Sequence, residues 1–344
     1  MNTEPILDAM RPIVDAHHHL WFNPSTTPPA PHDPDWFMTR SKPRYLFDEY
    51  LADLQTGHNI LATVFVEAHA MYRSSGREAM KSVGEVEFVN GVAALAASET
   101  FSSIKVCAGI VGNADLTLGD EVEEILDAHM RAGGERYRGV RNVTVSDPDR
   151  EGALGSFAEI PPGILGSGQF RAGFGKLQER GLSYDAVVLE PQLPDVIDLA
   201  RTFPATSIIL DHVGIPVNIS SYAHQREARF RLWRKNIGTL ATCPNVCVKL
   251  GGLGQVFGGF KSFKAHPPAT SEQLASEWRP YIETCIEAFG VQRCMFESNF
   301  PVDSASCTYP VLWNTFKRLT SGASDDEKTS LFSGTAARVY RLDI

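Results

Sequence analysis

A chain of 344 residues with 43% hydrophobic and 21% charged residues has material for a large buried core, and its formal net charge of −9 disfavours a surface built for nucleic acid or an anionic membrane. Residues 1–12 lack the apolar stretch of a secretory signal, and no apolar run reaches the length of a membrane span. The six cysteines form no C-x-x-C pair, which excludes the common structural zinc patterns and fits reduced thiols in a cytoplasmic protein.

Short β-branched runs recur along the chain: IVDA (13–16), LATVFVE (61–67), IKVCAGIV (104–111), RGVRN (138–142), AVVLE (186–190), TSIIL (206–210), VCVKL (246–250) and RCMFE (293–297). Such runs suit strands buried on both faces of a parallel sheet. Amphipathic stretches separate them. In 118–134, Val122, Ile125, Leu126 and Met130 share one helical face, with acids early and Gly133 at the stop. Residues 226–243 and 271–290 repeat the device. Eight strands alternating with helices predict a (β/α)8 TIM barrel, with a doubly wound open sheet as the competing architecture.

The long segments 23–46, 145–168 and 254–270 each follow a strand and would stand over the barrel's C-terminal face, where barrel enzymes keep their sites. No repeat or linker divides the chain, so residues 1–344 read as one domain.

In IVDAHHHLWF (13–22), Asp15, His17 and His19 alternate, so an extended chain points them to one side and His18 to the other. Two imidazoles of an H-x-H unit can reach one cation, although the unit alone equally fits a polar turn. Other strand ends add to it: Glu67 and His69 after the second, Glu190 after the fifth, Asp211 and His212 after the sixth, and Glu297, Ser298 and Asn299 after the eighth, with Asp303 following. Charged groups are rarely buried unless paired or metal-bound, so the set points to a metal centre. Blander roles suit other groups. Trp21, Trp36, Trp233 and Trp278 read as packing, KSFK (261–264) as a solvated loop, and Cys243 and Cys247 as core thiols. Lys249 either faces the site or caps a helix.

DAHHHLW, GVR, LDHVG, CPNVCVKLGGLG and FESNFPVD make the chain resemble the amidohydrolase superfamily over essentially its whole length, in the branch of metal-dependent TIM-barrel hydrolases related to sugar and dicarboxylate lactonases. The resemblance implies metal ligands at His17, His19 and His212, and an arginine, Arg141, whose fork suits a substrate carboxylate. Three positions depart from the hydrolytic pattern. Glu190 replaces a fifth-strand histidine, Asn142 follows GVR where histidine is common, and Asn299 replaces the aspartate that takes a proton from water. An amide has no basic site for that task, which leaves Glu297 and Asp303 as the nearest carboxylates.

HHHLW, AMYR and ESNFPVD also resemble a smaller branch holding dinuclear non-haem monooxygenases, such as the diiron hydroxylase of platensimycin biosynthesis and the manganese/iron α-aminoisobutyrate hydroxylase. That resemblance implies two divalent transition metals, iron foremost with manganese or zinc as alternatives, held by His17, His19, Glu67, His69, Glu190 and His212. Arg141 and Asn142 would bind a small carboxylate-bearing substrate beside Asn299, Glu297 and Asp303. An oxygenase would also need an external reductase or ferredoxin, because the chain shows no flavin or nicotinamide motif. The expectation is therefore an O2-activating monooxygenase in a homo- or hetero-oligomer. A metal-dependent hydrolase of a lactone, ester or amide is the alternative, and a non-catalytic metal-binding subunit is the third reading.

Overall fold

Eight strands alternating with helices frame the chain in a computed structural model that describes residues 4–22, 42–98, 101, 103–147 and 160–344. The strands are β1 (Ile13–His18), β2 (Ile60–Val66), β3 (Lys105–Gly112), β4 (Tyr137–Val140), β5 (Ser183–Ala186), β6 (Ile208–Leu210), β7 (Val246–Leu250) and β8 (Cys294–Phe296). They pair in parallel, in chain order. The ring closes where Asn299 N–H donates to the His17 carbonyl and His19 N–H to that of Phe300, each at 2.8 Å. This is the expected (β/α)8 barrel. Helices α1 (Phe47–Leu54), α2 (Val83–Ala96), α3 (Val122–Gly133), α4 (Gly168–Glu179), α5 (Leu193–Thr202), α6 (Arg226–Leu240), α7 (Ser271–Phe289) and α8 (Tyr309–Leu319) lie one after each strand.

The strand alternation divides two cores. Val14, Ala16, Ala62, Val64, Val66, Val111, Ile209, Cys247 and Met295 fill the barrel interior, and Tyr340 joins them from beyond the last helix. Residues of the other phase, such as Phe65, Ile110, Leu210, Val248 and Phe296, pack against the helices. Within α3, Val122, Ile125 and Leu126 are fully buried and Met130 is half-buried.

Two expectations need correction. The fifth strand is Ser183–Ala186, not 186–190. Tyr184, Asp185 and Ala186 pair with β6, while Val187 and Leu189 leave the sheet to pack with Val145, Ile215, Val217 and Phe257. Burial of an apolar run does not distinguish a strand from a packed loop, and a charge at Asp185 disguised the strand itself. Asp15 does not share the face of His17 and His19. The pairing is irregular between Asp15 and His18, and the Asp15 carboxylate accepts from Tyr50 Oη at 2.8 Å, Tyr309 Oη at 3.1 Å and Ser298 N–H at 2.8 Å. The same bulge lets His17 and His19 face inward together.

Of the long segments, 23–41 and 148–159 lie outside the described residues, as does Trp36. Trp233 and Trp278 are packed in the core and Trp21 is buried. KSFK is mixed, with Lys261 exposed and Ser262 buried. All six cysteines are buried free thiols. No helix among the described residues is long and apolar enough to cross a membrane.

Candidate metal centre

His17 and His19 meet at the end of β1 with their Nε2 atoms 3.1 Å apart. His19 Nδ1 lies 2.8 Å from the Val66 carbonyl, which can only accept, so Nδ1 carries the proton and the Nε2 lone pair is free. Burial holds the His19 imidazole well below its usual pKa, with His17 and Arg141 adding to the effect. His17 is lowered by burial and then by Lys249. Two neutral imidazoles aimed at one point are a chelating pair: nitrogens on one ion at about 2.0–2.1 Å lie roughly 3.0–3.4 Å from each other. Asn299 Oδ1 is 3.3 Å from His19 Nε2. Asn299 Nδ2 donates to Asp303 Oδ1 at 2.8 Å, which turns the amide oxygen toward the histidines.

Glu297 lies beneath this floor. Its Oε1 is 2.7 Å from His212 Nδ1 and its Oε2 is 3.0 Å from His17 Nδ1. Burial pulls its pKa up, but His212 and His17 outweigh it and bring the carboxyl down to about 2. His17, His212 and Glu297 place donor atoms within 4.8 Å of one another and could themselves hold an ion. That face is already filled: the Lys249 ammonium is 3.1 Å from His17 Nδ1, 2.6 Å from Asp185 and 3.0 Å from Asp211. The Nε2 side opens instead to a pocket lined by His19, His212 and Asn299. His17 Nδ1 lies between Lys249 and Glu297, and with its proton donated to Glu297 Oε2 the Nε2 lone pair is directed toward His19.

Arg141, from the end of β4, lines the same pocket. Its Nε donates to Glu67 Oε1 at 2.6 Å and its Nη2 to the Glu67 carbonyl, while Nη1 stands 3.4 Å from His17 Nε2 and 3.6 Å from Asp211 Oδ2. The guanidinium is thus neutralised from within. Glu67 Oε2 faces His69 Nε2 at 3.2 Å, and His69 is half-exposed at the rim.

The structure brings together His17, His19, Glu67, His69, Arg141, His212, Glu297, Asn299 and Asp303. It places two others elsewhere. Glu190 is buried against Arg229, whose Nε donates to Oε2 at 3.0 Å. Asn142 Oδ1 accepts the Leu116 N–H at 3.1 Å. Neither lines the pocket.

Three further groups shape the site; of their residues only Lys249 was weighed from sequence, as facing the site or capping a helix, and it faces inward. Glu85, on the buried face of α2, accepts from Ala68 N–H at 2.9 Å and Ala70 N–H at 2.8 Å, fixing the bend at His69, whose φ is +53°. Asp185 and Lys249 form a buried pair inside the barrel. Gly251, Gly252 and Gly254 cradle Glu297, His212 and Asp303: an added Cβ would come within 2.4, 2.2 and 2.8 Å of them. Opposite charges in two apolar strands, and a charge on the apolar face of SVGEVEF, were the available signals.

Burial raises the Glu85 carboxyl to about 8, with Glu67 contributing. The fold therefore binds a proton that the unfolded chain has released between about pH 4.3 and this value, so stability falls as pH rises through that window. Glu85→Gln retains the accepting oxygen without the charge. Its melting temperature should exceed that of the native chain at pH 8 by a few degrees, with the gap closing toward pH 4, as read by thermal melts.

A parallel barrel with paired histidines and buried carboxylates at its C-terminal strand ends is a setting suited to a divalent metal ion. The chain belongs to the amidohydrolase superfamily: the family model described as amidohydrolase matches residues 14–342. It is 36% identical over 335 residues to the uncharacterized protein y4mH of Sinorhizobium fredii, covering 96% of this chain and 98% of that one. It is 30% identical over 236 residues to an L-fucono-1,5-lactonase of Burkholderia multivorans, covering 68% and 72%. A crystal structure of a Burkholderia multivorans amidohydrolase with bound zinc matches with TM-score 0.70 at 25% identity, over 96% of this chain and 99% of that one. None of these relatives is named for oxygen chemistry; the names fit the hydrolytic alternative better than the monooxygenase expectation.

Proposed function

We propose that this chain is a metal-dependent hydrolase of a small lactone or ester. The observation that carries the reading is the convergence of His17 and His19 Nε2, 3.1 Å apart, beneath a pocket that His19 lines. The lactonase relative and the zinc-bound amidohydrolase support it. His17 and His19 would hold a single divalent ion, with Asn299 Oδ1 and His212 as further donors. Such an ion supplies Lewis acidity toward the substrate carbonyl and the attacking water. Zinc suits this nitrogen-rich set as well as iron does.

The chain's own residues supply the proton traffic. Glu67 lines the pocket, and although burial works against its charge, Arg141 and His69 keep it ionised. Its Oε1 is held by Arg141, and its Oε2, which meets only the half-exposed His69, is the oxygen that would take a proton from water and return it to the departing alkoxide. Glu297 accepts from the Nδ1 edges and keeps the rings in orientation. Asn299, a donor and positioner here, needs no basicity.

Turnover of γ- and δ-lactones by the zinc- or manganese-loaded protein in oxygen-18 water tests this. The expected result is one label from water in the acid formed, and a fall in kcat of about 100-fold or more in Glu67→Gln. Absence of lactone turnover, with label entering product from O2 in the presence of iron and a reductant, would replace the hydrolase by the oxygenase.

A further inference from the structure

The pocket has two unlike sides. The floor carries His19, Glu67, Arg141, His212 and Asn299 from the ends of β1, β2, β4, β6 and β8. Facing it, Val143, Val145, Val187, Ile215 and Phe257 form an apolar wall from the segments after β4, β5, β6 and β7. The wall is built rather than incidental: Val145, Val187, Ile215 and Phe257 belong to a packed cluster that Leu189 and Val217 complete from behind. The cavity measures about 100 Å³ and opens to solvent, so it admits a small molecule.

Among the described residues, the Val143, Val145, Val187, Ile215 and Phe257 side chains offer no hydrogen bond to a ring hydroxyl, and Gln255 and His69 are the polar groups at the pocket's margin. A polyhydroxylated substituent pressed against the wall would lose its water without replacement partners, and each unpaired hydroxyl would weaken binding. A substrate carboxylate fares no better beside Arg141, whose charge is already opposed by Glu67 and Asp211.

We infer that the substrate is an uncharged lactone or ester whose carbonyl carries a hydrocarbon substituent, aliphatic or aromatic, seated on the Val145, Val187, Ile215 and Phe257 wall. The inference rests on the hydrolase reading for its chemistry but on the wall for its specificity. Water adds to the carbonyl carbon, the acyl C–O bond breaks, and the proton water releases ends on the alcohol oxygen, leaving a hydroxy acid or an acid and an alcohol.

Two measurements on the metal-loaded protein separate the inference from the reading beneath it. The first is kcat/KM along a series of δ-lactones with hydrogen, methyl, propyl and pentyl substituents, beside glucono-δ-lactone and a carboxylate-bearing lactone. The second is calorimetric binding of the matching δ-lactams, which resist hydrolysis. Roughly fourfold gain per methylene over the first few carbons is expected in both series. Val145→Thr/Val187→Thr keeps the wall's volume and adds two hydroxyls, so it should flatten both slopes to about twofold or less per methylene.

Lactone turnover that favours glucono-δ-lactone or the carboxylate-bearing lactone, with no alkyl slope, overturns this inference and leaves the hydrolase standing. Absent turnover with an alkyl slope in lactam binding, lost in the double variant, removes the hydrolase and upholds the apolar site. Absence of both signals removes both.

Discussion

Replacing His19 by alanine should abolish divalent-ion binding and, on the hydrolase reading, reduce kcat/KM on the order of a thousandfold, while the melting temperature of the metal-free protein changes little. His19 contributes one of the two converging Nε2 lone pairs, and its own anchor is a single bond to the Val66 carbonyl. His18, its neighbour, should behave in the opposite way. Its ring stacks on Tyr50 with centroids 4.1 Å apart, and its Nε2 meets Thr63 Oγ1 at 3.0 Å, on the helix side of β1. His18→Ala opens a cavity in the outer core, worth about 2–4 kcal/mol for a side chain of this size, but leaves both chelating nitrogens in place. Metal content by plasma emission and thermal melts on the two variants give the check. Loss of metal in His18→Ala with retention in His19→Ala would mean that the ion sits elsewhere.

That opposition between adjacent histidines was legible in part. Strand alternation predicts that His18 faces away from His17 and His19, and it does. The same rule fails for Asp15, because a bulge after it shifts the phase of the chain, and a bulge leaves no mark in IVDAHHH. The barrel was legible because it is a pattern of eight apolar runs, whose periodicity survives errors of a few residues at each end. The site was legible only where chemistry-bearing side chains crowd the strand ends. Glu190 shows the limit of that reading. Its place after β5 suggested a ligand, yet Arg229 in α6, distant in sequence, pairs with it, and no local pattern reports such a partner. The pocket's apolar wall was invisible for the converse reason. Val143, Val145 and Val187 resemble any buried valine until the fold shows which of them stop packing and begin to line a cavity.

Gly252→Ala should cost at least about 100-fold in kcat while leaving the barrel folded. A methyl at this position would lie 2.2 Å from His212 Nδ1 and 2.5 Å from its Cβ, far inside van der Waals contact, so the imidazole must move. Moving it breaks the 2.7 Å contact with Glu297 that sets the ring's orientation, and displacements of about 1 Å at a reacting centre are worth two orders of magnitude in rate. His212 has little freedom to adjust, since its own φ is +55° and that of Val213 is +52°. Gly252 itself has φ +64°, so part of any effect is backbone strain, about 1–2 kcal/mol for a side chain in this region. Gly163→Ala isolates that part. Its φ is +75° and its ψ +14°, it sits ahead of α4, and nothing lies within 4 Å of an added Cβ. Gly163→Ala should therefore lower the melting temperature by a few degrees with kcat unchanged, whereas Gly252→Ala should add a loss of rate that no stabilising condition restores. If the two variants differ only in stability, or not at all, the position of His212 does not govern the chemistry, and the glycine run after β7 serves the fold alone.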